Sequence, residues 1–159
     1  MKKKLIVLTM LCLLVVLCLT GCSKKTAITS ADFEAKAKEK GFVVENLEIP
    51  DNEKENLKEG KVAKQSDCTL EICFRVYADS DIANKAYNDA VAAADQAKSS
   101  VGTSYTQVAS FFPNAYFRLN DPVADRYTVI SYIENTLVQV STSIENKSTV
   151  KEFLKEIGY

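Results

Sequence analysis

The chain has 159 residues, a formal net charge of −1 and 47% hydrophobic residues, with no histidine and no tryptophan. Without histidine the commonest general base and the commonest protein metal ligand are missing, which removes the usual serine and cysteine triads and most zinc sites. A near-neutral balance with no large basic block gives no footprint for nucleic acid, and the length suits one ordinary domain, not a two-lobed receptor.

Lys2, Lys3 and Lys4 precede an apolar block from Leu5 to Leu19, which ends in Leu19-Thr20-Gly21-Cys22. A membrane-spanning helix needs about 20 apolar residues, and an ordinary secretory signal ends in a small-x-small site. Here the block is shorter, and a small pair leads straight to a cysteine. Leu19 to Cys22 resembles the lipobox of bacterial lipoproteins, which are modified with diacylglycerol. The resemblance implies cleavage before Cys22 and lipidation of that residue, palmitate being one such acyl group. Residues 1–21 are therefore expected to be a signal peptide. The remainder is expected at the cell membrane, lipid-anchored on the extracytoplasmic side. More than one acyl chain holds a protein there stably, at about 0.8 kcal/mol per buried methylene. Ser23 stands where an inner-membrane retention aspartate would stand. The resemblance thus implies the outer membrane of a two-membrane cell, or the outer face of the only membrane.

Removing the signal takes three lysines away and leaves 17 basic and 21 acidic side chains, about minus four. Residues 22–28 read as the lipidated cysteine and a short tether. The six residues from Ser23 to Ile28 reach about 20 Å when extended, so the domain at 29–159 is expected close to the bilayer, with Lys24 and Lys25 near its headgroups.

The first helix is expected to start at Thr29, with Asp32 completing a capping box and Ile28 stapled to Phe33. Gly41 closes it in a left-handed conformation with Phe42 folded back on Ala37. Phe42 to Ile49 reads as a strand stopped by Pro50. Asp51 to Gly60 is dense in charge and reads as a solvated loop or frayed turn: a calcium loop would need glycine and glutamate where Asn56 and Val62 stand. Thr69 to Tyr77 alternates cleanly, with Leu70, Ile72, Phe74 and Val76 on one face and Glu71, Cys73, Arg75 and Tyr77 on the other. Lys61 to Gln65 pairs with it across Ser66 and Asp67.

Cys68 and Cys73 are the two cysteines outside the signal and the lipobox. On one strand they would lie about 16 Å apart, and a disulfide needs Cα atoms within about 7 Å. They are expected to be unlinked unless Cys68 folds back in a turn. No metal site and no cofactor is implied.

Asp79 caps a long helix reaching about Ser100, with Ile82, Ala86, Ala90, Ala93, Ala94 and Ala97 as its buried stripe, widened by Tyr87 and Val91. Four strands follow, at Ser104 to Ser110, Ala115 to Asn120, Arg126 to Ile133 and Thr136 to Thr142. Turn chemistry at Pro113-Asn114, Asn120-Asp121-Pro122 and Glu134-Asn135 makes them antiparallel neighbours. Val150, Phe153, Leu154 and Ile157 mark a last helix from Lys147, ended by Gly158. The fold class is α+β: a single domain with an antiparallel β-sheet and helices packed on one face.

The order of elements resembles a group of small uncharacterised bacterial lipoproteins, as do Asp32-Phe33 to Lys40-Gly41-Phe42, Tyr127 to Ser131 with Asn135 to Leu137, and Val150 to Tyr159. The resemblance supplies no catalytic residue. Two sets of residues are candidates for function. Phe111, Phe112, Tyr116 and Phe117 around Pro113 form a sticky tip if the turn is exposed, whereas alternate members enter the core if it is an ordinary strand. Glu71, Arg75 and Tyr77, with Arg118 and Arg126, are a weaker candidate for a polar cleft. The reading these support is a non-catalytic, membrane-tethered binding or adaptor domain of the cell envelope, with a membrane-proximal protein as its partner. An envelope hydrolase or transferase using carboxylates, and a small inhibitor or immunity domain, are the alternatives.

Overall fold

The computed structural model describes residues 25–109 and 112–159. Residues 1–21, expected to be a signal peptide, and Cys22, Lys24 and Phe111 lie outside the described residues.

Local chemistry sets the ends of the helices. Helix α1 spans Ser30–Glu39 behind Thr29, whose hydroxyl oxygen accepts the Asp32 N–H at 3.0 Å and whose O–H donates to the Asp32 carboxylate at 2.7 Å. It closes as a Schellman motif: Phe42 N–H donates to Ala37 C=O and Gly41 N–H to Lys38 C=O, both at 3.0 Å, with Gly41 at φ +82°. The same motif ends α3, Lys147–Glu156, where Tyr159 N–H donates to Leu154 C=O at 2.8 Å and Gly158 takes φ +83°. Helix α2, Ser80–Gln96, begins at Asp79, whose carboxylate accepts the Ile82 N–H at 2.8 Å.

Seven strands form one antiparallel sheet: β1 Val43–Asn46, β2 Leu57–Lys64, β3 Glu71–Tyr77, β4 Ser104–Ala109, β5 Asn114–Asp121, β6 Arg126–Ile133 and β7 Thr136–Thr142. Their order is β1-β2-β3-β7-β6-β5-β4. Two meanders, β1 to β3 and β4 to β7, therefore meet where β3 pairs with β7, with Phe74 opposite Val138. Helix α2 carries the chain from the centre of the sheet to the β4 edge.

The α+β class with a single antiparallel sheet is as expected, but the helices do not share one face. Helices α1 and α3 cover one side, where Phe33, Phe153, Phe74 and Tyr127 pack together. Phe33 stacks on Phe74 at 4.8 Å and meets Phe153 edge-on at 5.8 Å. Helix α2 covers the other side, setting Ala83 and Tyr87 on Phe117, Ile130, Tyr132 and Leu137. The cause lies in β6, whose residues from Tyr127 to Ile133 are all buried. A strand buried on both faces needs a cover on each.

Three local expectations are corrected as well. The buried stripe of α2 is centred on Ala83 and Tyr87, with Ala86, Ala90, Val91 and Ala94 packed beside them as expected, whereas Ala93 and Ala97 are exposed. Strand β1 ends at Asn46, short of Ile49. The charged loop ends at Asn56, because Leu57 is buried and already opposite Tyr77 in the sheet. Cys68 occupies the β2–β3 turn at φ +58°, and both it and Cys73 are free thiols. Burial pushes the Cys73 thiol up from its ordinary range.

Candidate functional site at one end of the sheet

The register brings one set of loops to a common end of the sheet. Asn114 lies opposite Ile133, and Glu134 N–H donates to Pro113 C=O at 2.8 Å, so the β4–β5 and β6–β7 turns are neighbours. Tyr159 reaches the same end and shares a hydrogen bond between its hydroxyl and that of Thr136. Ala27, Ile28 and Thr29 line a shallow hollow with Glu134, Asn135 and Thr136. The chain therefore enters the domain beside the β4–β5 tip and the end of α3.

At this end the aromatic candidates separate. Phe112 is 62% exposed. Tyr116 is half-buried against the core of the α1 and α3 face. Phe117 is corrected: it is 1% exposed and packs under α2 on the other face, so it belongs to no binding surface. Strand alternation from Tyr116 to Phe117 sends adjacent rings to opposite sides. Phe111 lies outside the described residues.

The polar cleft does not form. Glu71 is exposed at the far end of β3, 3.7 Å from Lys64. Arg75 donates to Gln139 at 3.1 Å on the α2 face. Tyr77 is half-buried against the core under α2, and burial raises its phenol above the ordinary value. Arg118 falls on the opposite face, with Tyr116, and is 3.4 Å from Thr106. Arg126 sits at the far end of β6, where its guanidinium donates to Ala97 C=O. Arg75 aligns through Leu137 with Tyr132, six residues along β6 from Arg126, which is roughly 20 Å.

A hollow of about 440 Å³ opens between α1 and the β1–β2 edge, beside Glu34, Leu47, Gly60 and Lys61. Its carboxylate is committed to ion pairs, since Glu34 accepts from Lys38 at 2.6 Å and from Lys61 at 2.7 Å. The Lys38 and Lys61 ammonium groups hold Glu34 down to about 2. It stays ionised at neutral pH and cannot serve there as a proton donor.

A third hollow, about 320 Å³, lies between α3 and β5 and is lined by Lys25, Tyr116, Lys151, Lys155 and Tyr159. Helix α3 is asymmetric in charge around its buried stripe. On one flank Glu152 and Glu156 meet Lys40 of α1 at 3.1 and 2.8 Å. On the other, Lys147, Lys151 and Lys155 recur every four residues and so share a flank. Lys147 donates to Asn120 at 2.9 Å and lies 5.5 Å above the Tyr127 ring. Lys151 and Lys155 are exposed. The four-residue lysine spacing was the sequence signal for this flank, and reading α3 only for its apolar stripe passes over it.

Comparison with protein-family models, with curated proteins and with solved structures finds no match.

Proposed function

We propose that the protein is a lipid-anchored envelope lipoprotein whose α+β domain binds a membrane-proximal partner without catalysing a reaction. The observation that carries this reading is Leu19-Thr20-Gly21-Cys22 at the end of a short apolar block. Support for a binding role comes from Phe112, a large apolar side chain exposed at the end of the sheet where the chain enters the domain. Exposed aromatics that insert into a partner's pocket carry a large share of binding energy.

Two measurements test it. Cells producing the wild type should yield a chain that begins at an acylated Cys22 in the membrane fraction, and a Cys22→Ala variant should carry no acyl group. A processed wild-type chain without an acyl group on Cys22 would overturn the anchor. Cross-linking in intact envelopes should then capture a specific protein that a folded Phe112→Ser variant fails to capture. Identical capture by both would remove Phe112 from the binding surface.

A further inference from the structure

We propose that the hollow between α3 and β5 is the membrane-facing surface of the domain, and that it takes the phosphate headgroups of anionic phospholipid. The inference rests on the lipid anchor proposed above.

Charge supports it. Lys25, Lys151 and Lys155 surround the hollow, all three are exposed, and none makes an ion pair among the described residues. Consecutive lysines on one helical flank stand about 6 Å apart, close enough for one phosphate to lie between Lys151 and Lys155. The acids of α3 face away and are engaged by Lys36 and Lys40. Asp51, Glu53 and Glu55 precede β2, which stands four strands from β5 in the sheet, or about 19 Å. Glu134 lines the adjoining hollow at residues 27–29 and is close enough to act on the Tyr159 phenol.

Position supports it too. Lys25 is three residues beyond Cys22, a span of about 10 Å at full extension. An anchor at Cys22 therefore keeps this hollow, which Lys25 itself lines, within reach of the headgroup layer. Tyr116, half-buried, and Tyr159, buried with its hydroxyl bonded to that of Thr136, form the floor of the hollow. Lysines around such a floor lay their stems on apolar surface and hold their ammonium groups out at phosphate depth.

The test uses the processed protein purified from its membrane, with the acylation of Cys22 read from intact mass. It is reconstituted in vesicles of phosphatidylcholine alone and in an equal mixture with phosphatidylglycerol, then treated with an amine-reactive reagent. Labelling of Lys25, Lys151 and Lys155 should fall severalfold on the anionic vesicles, while exposed Lys85 on α2 labels equally on both. Protection should vanish in about 1 M salt, where the screening length is about 3 Å. An acylated protein that labels equally on both vesicles overturns the headgroup surface and leaves the anchor intact. Equal protection by inorganic phosphate on the neutral vesicles overturns it in favour of a free anion. An unmodified Cys22 overturns the anchor and the inference together.

Discussion

Asp121 shows how one side chain ties separate elements together. It is fully buried and accepts the Ser99 N–H at 2.7 Å, the Ala124 N–H at 3.2 Å and the Arg126 guanidinium at 3.4 Å. The first donor lies just after α2, and the others belong to the β5–β6 turn and the start of β6. Both carboxylate oxygens face donors. An Asp121→Asn substitution would therefore point an amide NH2 at an N–H, leaving a buried donor unsatisfied. The variant should melt on the order of 5–10 °C lower, as followed by circular dichroism, with early amide exchange at Ser99 and Ala124. An unchanged melting temperature would mean that water replaces these bonds without loss. The sequence around Asn120-Asp121-Pro122 shows a turn but gives no sign of Asp121's burial, because the shortest bond it accepts comes from Ser99, far away in the chain.

Whole elements carry the next two predictions. Gly60 on β2 packs so tightly that an added Cβ would stand 2.7 Å from the Leu47 Cβ. Because the obstacle is a Cβ, trimming the neighbour does not relieve it. Gly60→Ala should cost about 1–3 kcal/mol in urea denaturation, and adding Leu47→Ala should fail to restore it. Recovery by Leu47→Ala would show that only the Leu47 side-chain tip resisted. Helix α3 is held by Phe153, 1% exposed, between Phe33 and the Phe42 ring at 5.4 Å. Phe153→Ala should cost about 3–5 kcal/mol, a large part of the 5–15 kcal/mol that holds a typical domain.

These elements differ in how clearly the chain announces them. Strands β6 and β7, the Schellman caps and α3 are readable, since hairpin turns and glycine caps act within a few residues. The face of α2 is readable too, since Ala86, Tyr87, Ala90, Val91 and Ala94 pack on the sheet as their spacing implies, but its centre falls at Ala83 and Tyr87, and not at Ile82 and Ala93. The start of β2 is hidden inside charged residues whose side chains point to solvent. Of the candidate sites, the aromatic cluster beside Pro113 was legible, but not that Phe112 would be its exposed member. The separation of Phe117 from it, and of Arg118 from Arg75, depends on which sheet face each residue occupies. The strand order that sets those neighbours arises from long-range pairing of β3 with β7, which no local signal encodes.

At the scale of the whole molecule, the list of titrating groups predicts the shape of stability against pH. With no histidine, no side chain of ordinary pKa changes charge between about pH 5 and 8. On the acid side, the Lys38 and Lys61 partners depress Glu34 from 4.5 to about 2. The Ser99 N–H, chief among several donors, holds Asp121 below its ordinary value, and Lys40 does the same for Glu156. A carboxylate depressed in the fold contributes stability that is complete above its unfolded pKa and is lost as pH falls through the folded one. On the alkaline side, burial pushes Tyr127 and Tyr159 up to about 12, and raises Cys73 above its usual 9.0. Groups raised in the fold contribute stability that is complete below the unfolded pKa and disappears as pH climbs through the folded one. Urea midpoints should therefore be flat from about pH 5 to 8. They should fall below about 4.5 toward 2, and fall again above about 9 toward 12. Replacing Tyr159 by Phe should remove part of the alkaline loss while leaving the acid limb in place. A sloping midpoint between pH 5 and 8 would contradict this account, since it would require a titrating group that neither the composition nor the buried carboxylates and phenols supply.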